Sequence, residues 1–146
     1  MAEGLLLREP ITDYGEFRAY LRREREEMVF EAFREVDGRA WLLRVPMQAR
    51  GAIAGLLREV GPNLAEDATT VADGNGILRQ VTIGPKDQLA AVVLEDGQDR
   101  AFALWRQEEL RSGWSWTIDV LVVPIELARR FCSLMLQVID RLNAAR

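Results

Sequence analysis

The stretch ILRQVTIGPKDQLAAVVLE, residues 77–95, decides the fold class. Two short apolar runs, Ile77–Ile83 and Leu89–Glu95, are separated only by the turn-forming residues Gly-Pro-Lys-Asp. A connection this short joins antiparallel strands, because a parallel crossover needs a dozen residues or more. Consecutive Val-Val-Leu leaves the second run without a polar face, so we expect it to be a central strand covered on both sides.

The same pattern continues toward the C-terminus. An Asp96-Gly97 turn leads into Arg100–Arg106, and Trp114–Val123 follows after a longer loop, so the segment predicts an antiparallel meander. Strict alternation in the last run predicts one apolar face and one polar face. The apolar face comprises Trp114, Trp116, Ile118, Val120 and Val122, and the polar face comprises Ser115, Thr117 and Asp119.

A long C-terminal helix begins after Pro124, a residue well suited to the first helical position. Its main apolar stripe consists of Phe131, Leu134, Met135, Val138 and Leu142. Further apolar residues widen this stripe to more than half of the circumference, which exceeds what packing on one sheet requires. The surplus predicts a homodimer, with Phe131, Leu134 and Val138 as interface candidates.

The sequence pattern of the N-terminal half predicts the secondary structure less clearly. A first helix is predicted from Asp13, with Tyr14, Phe17 and Leu21 at helical spacing, after a loosely ordered segment over residues 1–11. Residues 28–36 fit a continuing helix or a strand that turns at Asp37-Gly38 into a second strand, and the Asp-Gly pair favours the hairpin.

A second helix, with a buried stripe from Ala49 to Val60, ends at Gly61-Pro62, and a short strand is expected at Ala68–Ala72. The predicted fold is a single α+β domain over residues 1–146. Its order is N-terminal helix, β-hairpin, helix, antiparallel meander of four to five strands, and long C-terminal helix packed on the sheet.

Composition excludes several function classes. The 146 residues include no histidine, one cysteine (Cys132) and one lysine (Lys86), so imidazole-based catalysis and ordinary zinc sites are excluded. We therefore expect no metal and no cofactor. The net charge of −4 makes nucleic acid an unlikely partner, and the absence of a long apolar run predicts a cytoplasmic protein without membrane contact.

Carboxylate chemistry survives the absence of histidine, because two acids with separated pKa values can serve as acid and base. Asp119 and Glu31 are the two acids placed among apolar residues, although both fit the solvent face of half-buried strands. Lys86 lies in a turn, and Cys132 lies in an apolar helix, where a buried thiol is inert. We therefore predict no catalytic residue and no enzymatic activity.

Aromatic residues and arginines surround the loop before the last strand. Trp105, Trp114 and Trp116 lie beside Arg106 and Arg111, a combination that could stack nucleic-acid bases or a planar ligand. The shared face with Val120 and Val122 instead favours a core role for the last two tryptophans, and an exposed set would suit a protein interface. The glycine-rich Asp73-Gly74-Asn75-Gly76 precedes a strand and fits a hairpin turn better than a phosphate loop.

The leading functional hypothesis is a non-enzymatic, homodimeric interaction or assembly domain of chaperone or adaptor type that binds proteins. Its element order and size resemble the small acidic secretion-chaperone folds, although no shared motif carries a residue across. The alternatives are a binding module for a small planar ligand or single-stranded nucleic acid along the Trp/Arg edge, and, third, a carboxylate-dependent enzyme.

Overall fold

A computed structural model of the chain describes residues 3–64, 76–96, 99–110 and 113–144. Within these residues, eight strands form two four-stranded antiparallel sheets in sequential order, which we call the N-terminal sheet (β1–β4) and the C-terminal sheet (β5–β8). The strands are β1 Glu3–Ile11, β2 Gly15–Arg22, β3 Glu27–Arg34, β4 Arg39–Pro46, β5 Ile77–Gly84, β6 Asp87–Asp96, β7 Asp99–Glu109 and β8 Ser115–Pro124; the α-helices are α1 Arg50–Val60 and α2 Ile125–Ala144.

The fold prediction was wrong in its N-terminal part. Where a helix was expected from Asp13, the chain forms strand β2, and residues 3–11, expected to be loosely ordered, form β1. Phe17 and Ala19 are fully buried, whereas the intervening Arg18 and Tyr20 lie on the opposite face, so the period is 2 rather than 3.6. Pairing along the whole length of β3 therefore outweighs the helical spacing of a few apolar residues.

The ambiguity over residues 28–36 is resolved in favour of the hairpin. β3 and β4 pair antiparallel from Glu27↔Pro46 to Arg34↔Arg39, and Gly38 in the connection has a φ of +69°. Only glycine adopts that conformation without steric cost, which explains the strength of the Asp-Gly signal.

The predicted meander is confirmed as the C-terminal sheet, but one register detail differs. β7 pairs with β8 through Arg106↔Asp119 and then through Gln107↔Thr117, so Ile118 is an extra residue in a β-bulge. A bulge reverses the alternation of side chains beyond it. Trp116 therefore lies on the face of Leu121 and Val123 and not on the face of Val120 and Val122.

The two sheets adjoin along β4 and β8, and the helices pack against them. α2 contacts α1, β2, β7 and β8, and the Phe131 ring meets the rings of Tyr14 and Phe17 edge-on at 5.8 and 5.7 Å. This arrangement explains why α2 is apolar over so much of its circumference. Its extra apolar surface is covered by both sheets and by α1, so it gives no support to the predicted homodimer.

Among the described residues, two sheets and two α-helices, with 56% of the residues in strands, replace the predicted architecture of one sheet and an N-terminal helix. The second predicted helix and the C-terminal helix are confirmed as α1 and α2. The strand expected at 68–72 and the 73–75 part of the glycine-rich turn lie outside the described residues. Within the described parts of the chain, no helix is long and apolar enough to cross a membrane.

Candidate functional site

Two tryptophans at the start of β8 are open to solvent. The side chains of Trp114 and Trp116 are 73% and 56% exposed, which contradicts the predicted core stripe. The bulge at Ile118 places Trp116 on the face opposite to Val120 and Val122, which are only partly buried, and the buried residues of β8 are Leu121 and Val123. Large exposed indoles on a hairpin end are a typical feature of a binding surface.

Trp105 and Arg106, the neighbouring candidates on β7, have structural partners. The indole N–H of Trp105 donates to Thr117 Oγ1 at 2.6 Å. Arg106 donates to both carboxylate oxygens of Asp87, at 3.1 and 2.7 Å, and to the backbone carbonyl of Arg44. Arg106 therefore joins β7 to β6 and to the N-terminal sheet. Arg111, the remaining candidate of this group, lies outside the described residues.

The three interface candidates on α2 are buried within the chain's own core. Phe131 is 1% exposed, Leu134 is 7% exposed and Val138 is fully buried. They hold the helix to the sheets and are not available to a partner.

A cleft of about 530 Å³ opens where the outer face of the N-terminal sheet meets β8. It brings together the two carboxylates singled out from the sequence, Glu31 and Asp119, although 88 residues separate them in the chain. We call it the junction cleft; its lining residues are Tyr20, Arg22, Val29, Glu31, Leu42, Arg44 and Asp119.

Asp119 connects the two sheets. Its Oδ2 accepts hydrogen bonds from the backbone N–H and the Nε of Arg44, both at 2.9 Å, and its Oδ1 accepts one from Nη2 at 3.1 Å. The Asp119 carboxylate raises the pKa of the Arg44 guanidinium. The side chain of Asp119 is only 10% exposed, so these charge-assisted bonds replace most of its hydration.

Glu31 is the deep polar group of the cleft. It is 9% exposed, although it points to the outer face of the sheet. Its Oε1 accepts hydrogen bonds from the hydroxyl of Tyr20 at 2.9 Å and from Arg18 Nη1 at 3.2 Å. Burial, and after it the bond to Glu31, raises the pKa of Tyr20. The Tyr20 proton is therefore held on the hydroxyl and directed at the carboxylate.

Lys86 and Cys132, the two other reactive groups considered, do not line the junction cleft. Lys86 is exposed in the β5–β6 turn with a φ of +61°. Cys132 is 1% exposed, and burial raises the pKa of its thiol to about 12, as expected for an inert core cysteine.

Tyr20 and Arg44 were not identified from the sequence. The missed signal was the alternation of Arg18, Tyr20 and Arg22, which would have placed three polar side chains on one face of a strand. Because β2 was interpreted as a helix, the pairing that brings Tyr20 next to β3 and β4 could not be anticipated.

Comparison with known proteins gives a functional pointer. No family model matches the chain. The chain is similar to a protein of Methanopyrus kandleri named "Probable tRNA pseudouridine synthase B", with 31% identity over 125 residues. The similarity covers 85% of this chain but 33% of that protein, so the chain spans about one third of the relative's length.

This similarity contradicts three predictions made from the sequence. The relative is named as an enzyme, which conflicts with a non-enzymatic function, and its name refers to tRNA, which conflicts with nucleic acid being an unlikely partner. It also conflicts with a protein-binding role as the main function. The prediction that nucleic acid is an unlikely partner rested on the formal net charge, which does not report where charges and aromatic rings are placed.

Proposed function

We propose that this chain is an RNA-binding domain of an RNA-modifying enzyme and that its RNA is of the tRNA class. The similarity over 85% of the chain to part of a protein named for tRNA modification supports the class of substrate. The exposed indoles of Trp114 and Trp116 are the structural observation that carries the proposal. A tRNA substrate implies a cytoplasmic location.

Exposed indoles suit an RNA partner because unpaired bases stack on them. Stacking of a base on an aromatic side chain contributes about 1–3 kcal/mol and tolerates different bases. Trp114 is held in place by its carbonyl, which accepts the backbone N–H of Leu110 at 2.7 Å. The indoles therefore project from a hydrogen-bonded hairpin rather than from a free chain end.

Cationic residues lie on the elements that adjoin the β7–β8 hairpin. The carbonyl of Lys86 accepts the backbone N–H of Glu109 at 2.7 Å, so the β5–β6 turn adjoins the β7–β8 hairpin. Arg44, whose side chain is 40% exposed, lies on the other side of β8. Asp87 and Asp119 are paired with Arg106 and Arg44. Glu108 and Glu109 lie opposite Trp116 and Ser115, so the attraction for a phosphate backbone has to come from Lys86 and Arg44.

The proposal is tested by fluorescence anisotropy with a labelled, unmodified tRNA transcript at several salt concentrations. We expect Trp114→Ala and Trp116→Ala each to weaken binding by about fivefold or more, the loss expected for one stacked base. Lys86→Ala should instead reduce the salt dependence of the affinity, because one phosphate contact disappears. Leu5→Ala is the matched control, because Leu5 is 57% exposed on β1, far from the hairpin in the sheet order.

Equal affinity of the tryptophan variants and the control would contradict the assignment of the hairpin as the binding surface. Failure of the unsubstituted protein to bind tRNA at low salt would contradict RNA binding itself. Far-ultraviolet circular dichroism of each variant verifies that the fold is retained.

A further inference from the structure

The pairing of β2, β3 and β4 places three polar side chains of the junction cleft side by side. Tyr20 lies opposite Val29, and Val29 lies opposite Arg44, while Glu31 is two residues further along β3 on the same face. Tyr20, Glu31 and Arg44 thus follow one another across the sheet in strand order. Val29 and Leu42 supply the apolar floor between them.

The hydrogen-bonding capacity of these groups is only partly used. Glu31, which lines the cleft, accepts two hydrogen bonds at Oε1, and no hydrogen bond from the described residues reaches its Oε2. The Tyr20 hydroxyl donates its hydrogen bond to Glu31, and Arg18 lies beside the hydroxyl. Tyr20 Oη therefore has one lone pair left to accept a hydrogen bond from a ligand. Arg44 uses Nε and Nη2 on Asp119, which leaves Nη1 as a donor.

The cleft therefore presents an acceptor on β2, an acceptor on β3 and a donor on β4. The Watson–Crick edge of guanine is the complement of this order, because its N2 amino group and N1–H donate and its O6 accepts. Adenine and cytosine turn a ring-nitrogen acceptor toward the carboxylate. Uracil offers the N3–H donor but flanks it with two acceptors, one of which would face the Tyr20 lone pair.

We propose that the junction cleft binds an unpaired guanine base. The inference rests on the proposed RNA binding, which would deliver the base as part of a strand. The volume of about 530 Å³ lies within the range of roughly 300–1,000 Å³ that small-molecule sites occupy. Arg22, which also lines the cleft, is ion-paired with Glu27 at 3.5 Å and adds a positive charge on this side of the site.

The test compares four short single-stranded RNAs that differ at one central nucleoside: guanosine, inosine, adenosine or uridine. Affinities are measured by anisotropy for the full chain and for Glu31→Gln, Tyr20→Phe and the control Glu9→Gln, a glutamate on β1 whose side chain is 38% exposed and paired with Arg130. GMP, AMP and UMP are titrated separately by calorimetry, which distinguishes a free nucleotide from a base within a strand. Thermal unfolding of each variant establishes that it folds.

We expect guanine to be preferred over adenine and uracil by about tenfold, the effect of one or two hydrogen bonds with a charged partner. Glu31→Gln should abolish that preference, because an amide restrained by Tyr20 and Arg18 turns its NH₂ group toward N1–H. Inosine lacks the N2 amino group, so the inosine RNA should bind the full chain more weakly than the guanine RNA does. The two RNAs should bind the Tyr20→Phe variant equally well, because this variant lacks the acceptor for that amino group.

Tight RNA binding with no preference among the four bases would overturn the guanine site and leave the proposed function standing. If the unsubstituted chain binds GMP selectively but binds none of the RNAs, the cleft is a nucleotide site and the proposed function fails. A preference for guanine that Glu31→Gln leaves unchanged would place base recognition elsewhere and overturn the inference.

Discussion

Asp119→Ala should destabilise the protein strongly, because this carboxylate holds the N-terminal sheet to the C-terminal sheet. The substitution removes three hydrogen bonds with Arg44, at 2.9, 2.9 and 3.1 Å. One of them satisfies a backbone N–H on β4 at the seam between the sheets. A hydrogen bond with a charged group contributes about 1.5–3 kcal/mol, and a buried donor left without an acceptor costs about 1–3 kcal/mol.

These terms do not add in full, because the Arg44 side chain is 40% exposed and water can replace Asp119 at the guanidinium. We therefore expect a loss of about 2–4 kcal/mol in the free energy of unfolding for Asp119→Ala. Asp119→Asn keeps one oxygen acceptor for the backbone N–H, so its loss should be about half as large.

Urea denaturation followed by circular dichroism measures these differences, with the slope of the transition as a check on two-state behaviour. Asp140→Ala is the matched control, because its ion pair with Arg58 spans 3.4 Å between side chains that are 64% and 60% exposed. An exposed pair of this kind contributes no more than about 1 kcal/mol. Equal losses for Asp119→Ala and Asp140→Ala would refute the role of Asp119 as the link between the sheets.

Two further predictions concern the backbone and the core thiol. Gly15→Ala should lower the free energy of unfolding by about 2–4 kcal/mol, because the new Cβ would lie 2.0 Å from the carbonyl oxygen of Phe33. Gly51→Ala, on the open face of α1, should raise it by up to about 1 kcal/mol. A lower Tm for both variants would contradict this contrast. Cys132 should resist thiol reagents at pH 8 until urea unfolds the chain. Its folded pKa of about 12 exceeds the ordinary 9.0, so the folded state keeps the proton longer, and the stability contributed by Cys132 is complete below pH 9 and declines from pH 9 to 12. A Cys132→Ala variant with the same alkaline decline would show that another group is responsible.

The meander and the C-terminal helix could be predicted because their signals are local. Turn residues separate the strands, and Pro124 begins a helix with a continuous apolar stripe. Strand β2 could not be predicted in the same way. Tyr14, Phe17 and Leu21 satisfy helical spacing within their own segment, and only pairing with β3 makes the extended form more stable.

The bulge explains why the single apolar face predicted for the last strand is interrupted. A single extra residue, Ile118, separates the faces of Trp116 and Val120, and nothing in the alternating sequence marks its position. Long-range contacts explain the other gap. Glu31 and Asp119 could be singled out as acids among apolar residues, but the roles of Tyr20 and Arg44 beside them arise only when β4 meets β8.

RNA binding at the exposed indoles is tested most directly by the four tryptophan side-chain signals in a nitrogen–proton correlation spectrum. Trp105 donates to Thr117, and Trp41 lies beneath Arg39, with the guanidinium 4.1 Å from the ring centre, so these two indoles serve as internal references. On addition of unmodified tRNA, the signals of Trp114 and Trp116 should shift or broaden first and should recover at high salt. Unchanged signals from Trp114 and Trp116 at saturating tRNA, or larger changes at Trp105 and Trp41, would contradict the proposed RNA-binding surface.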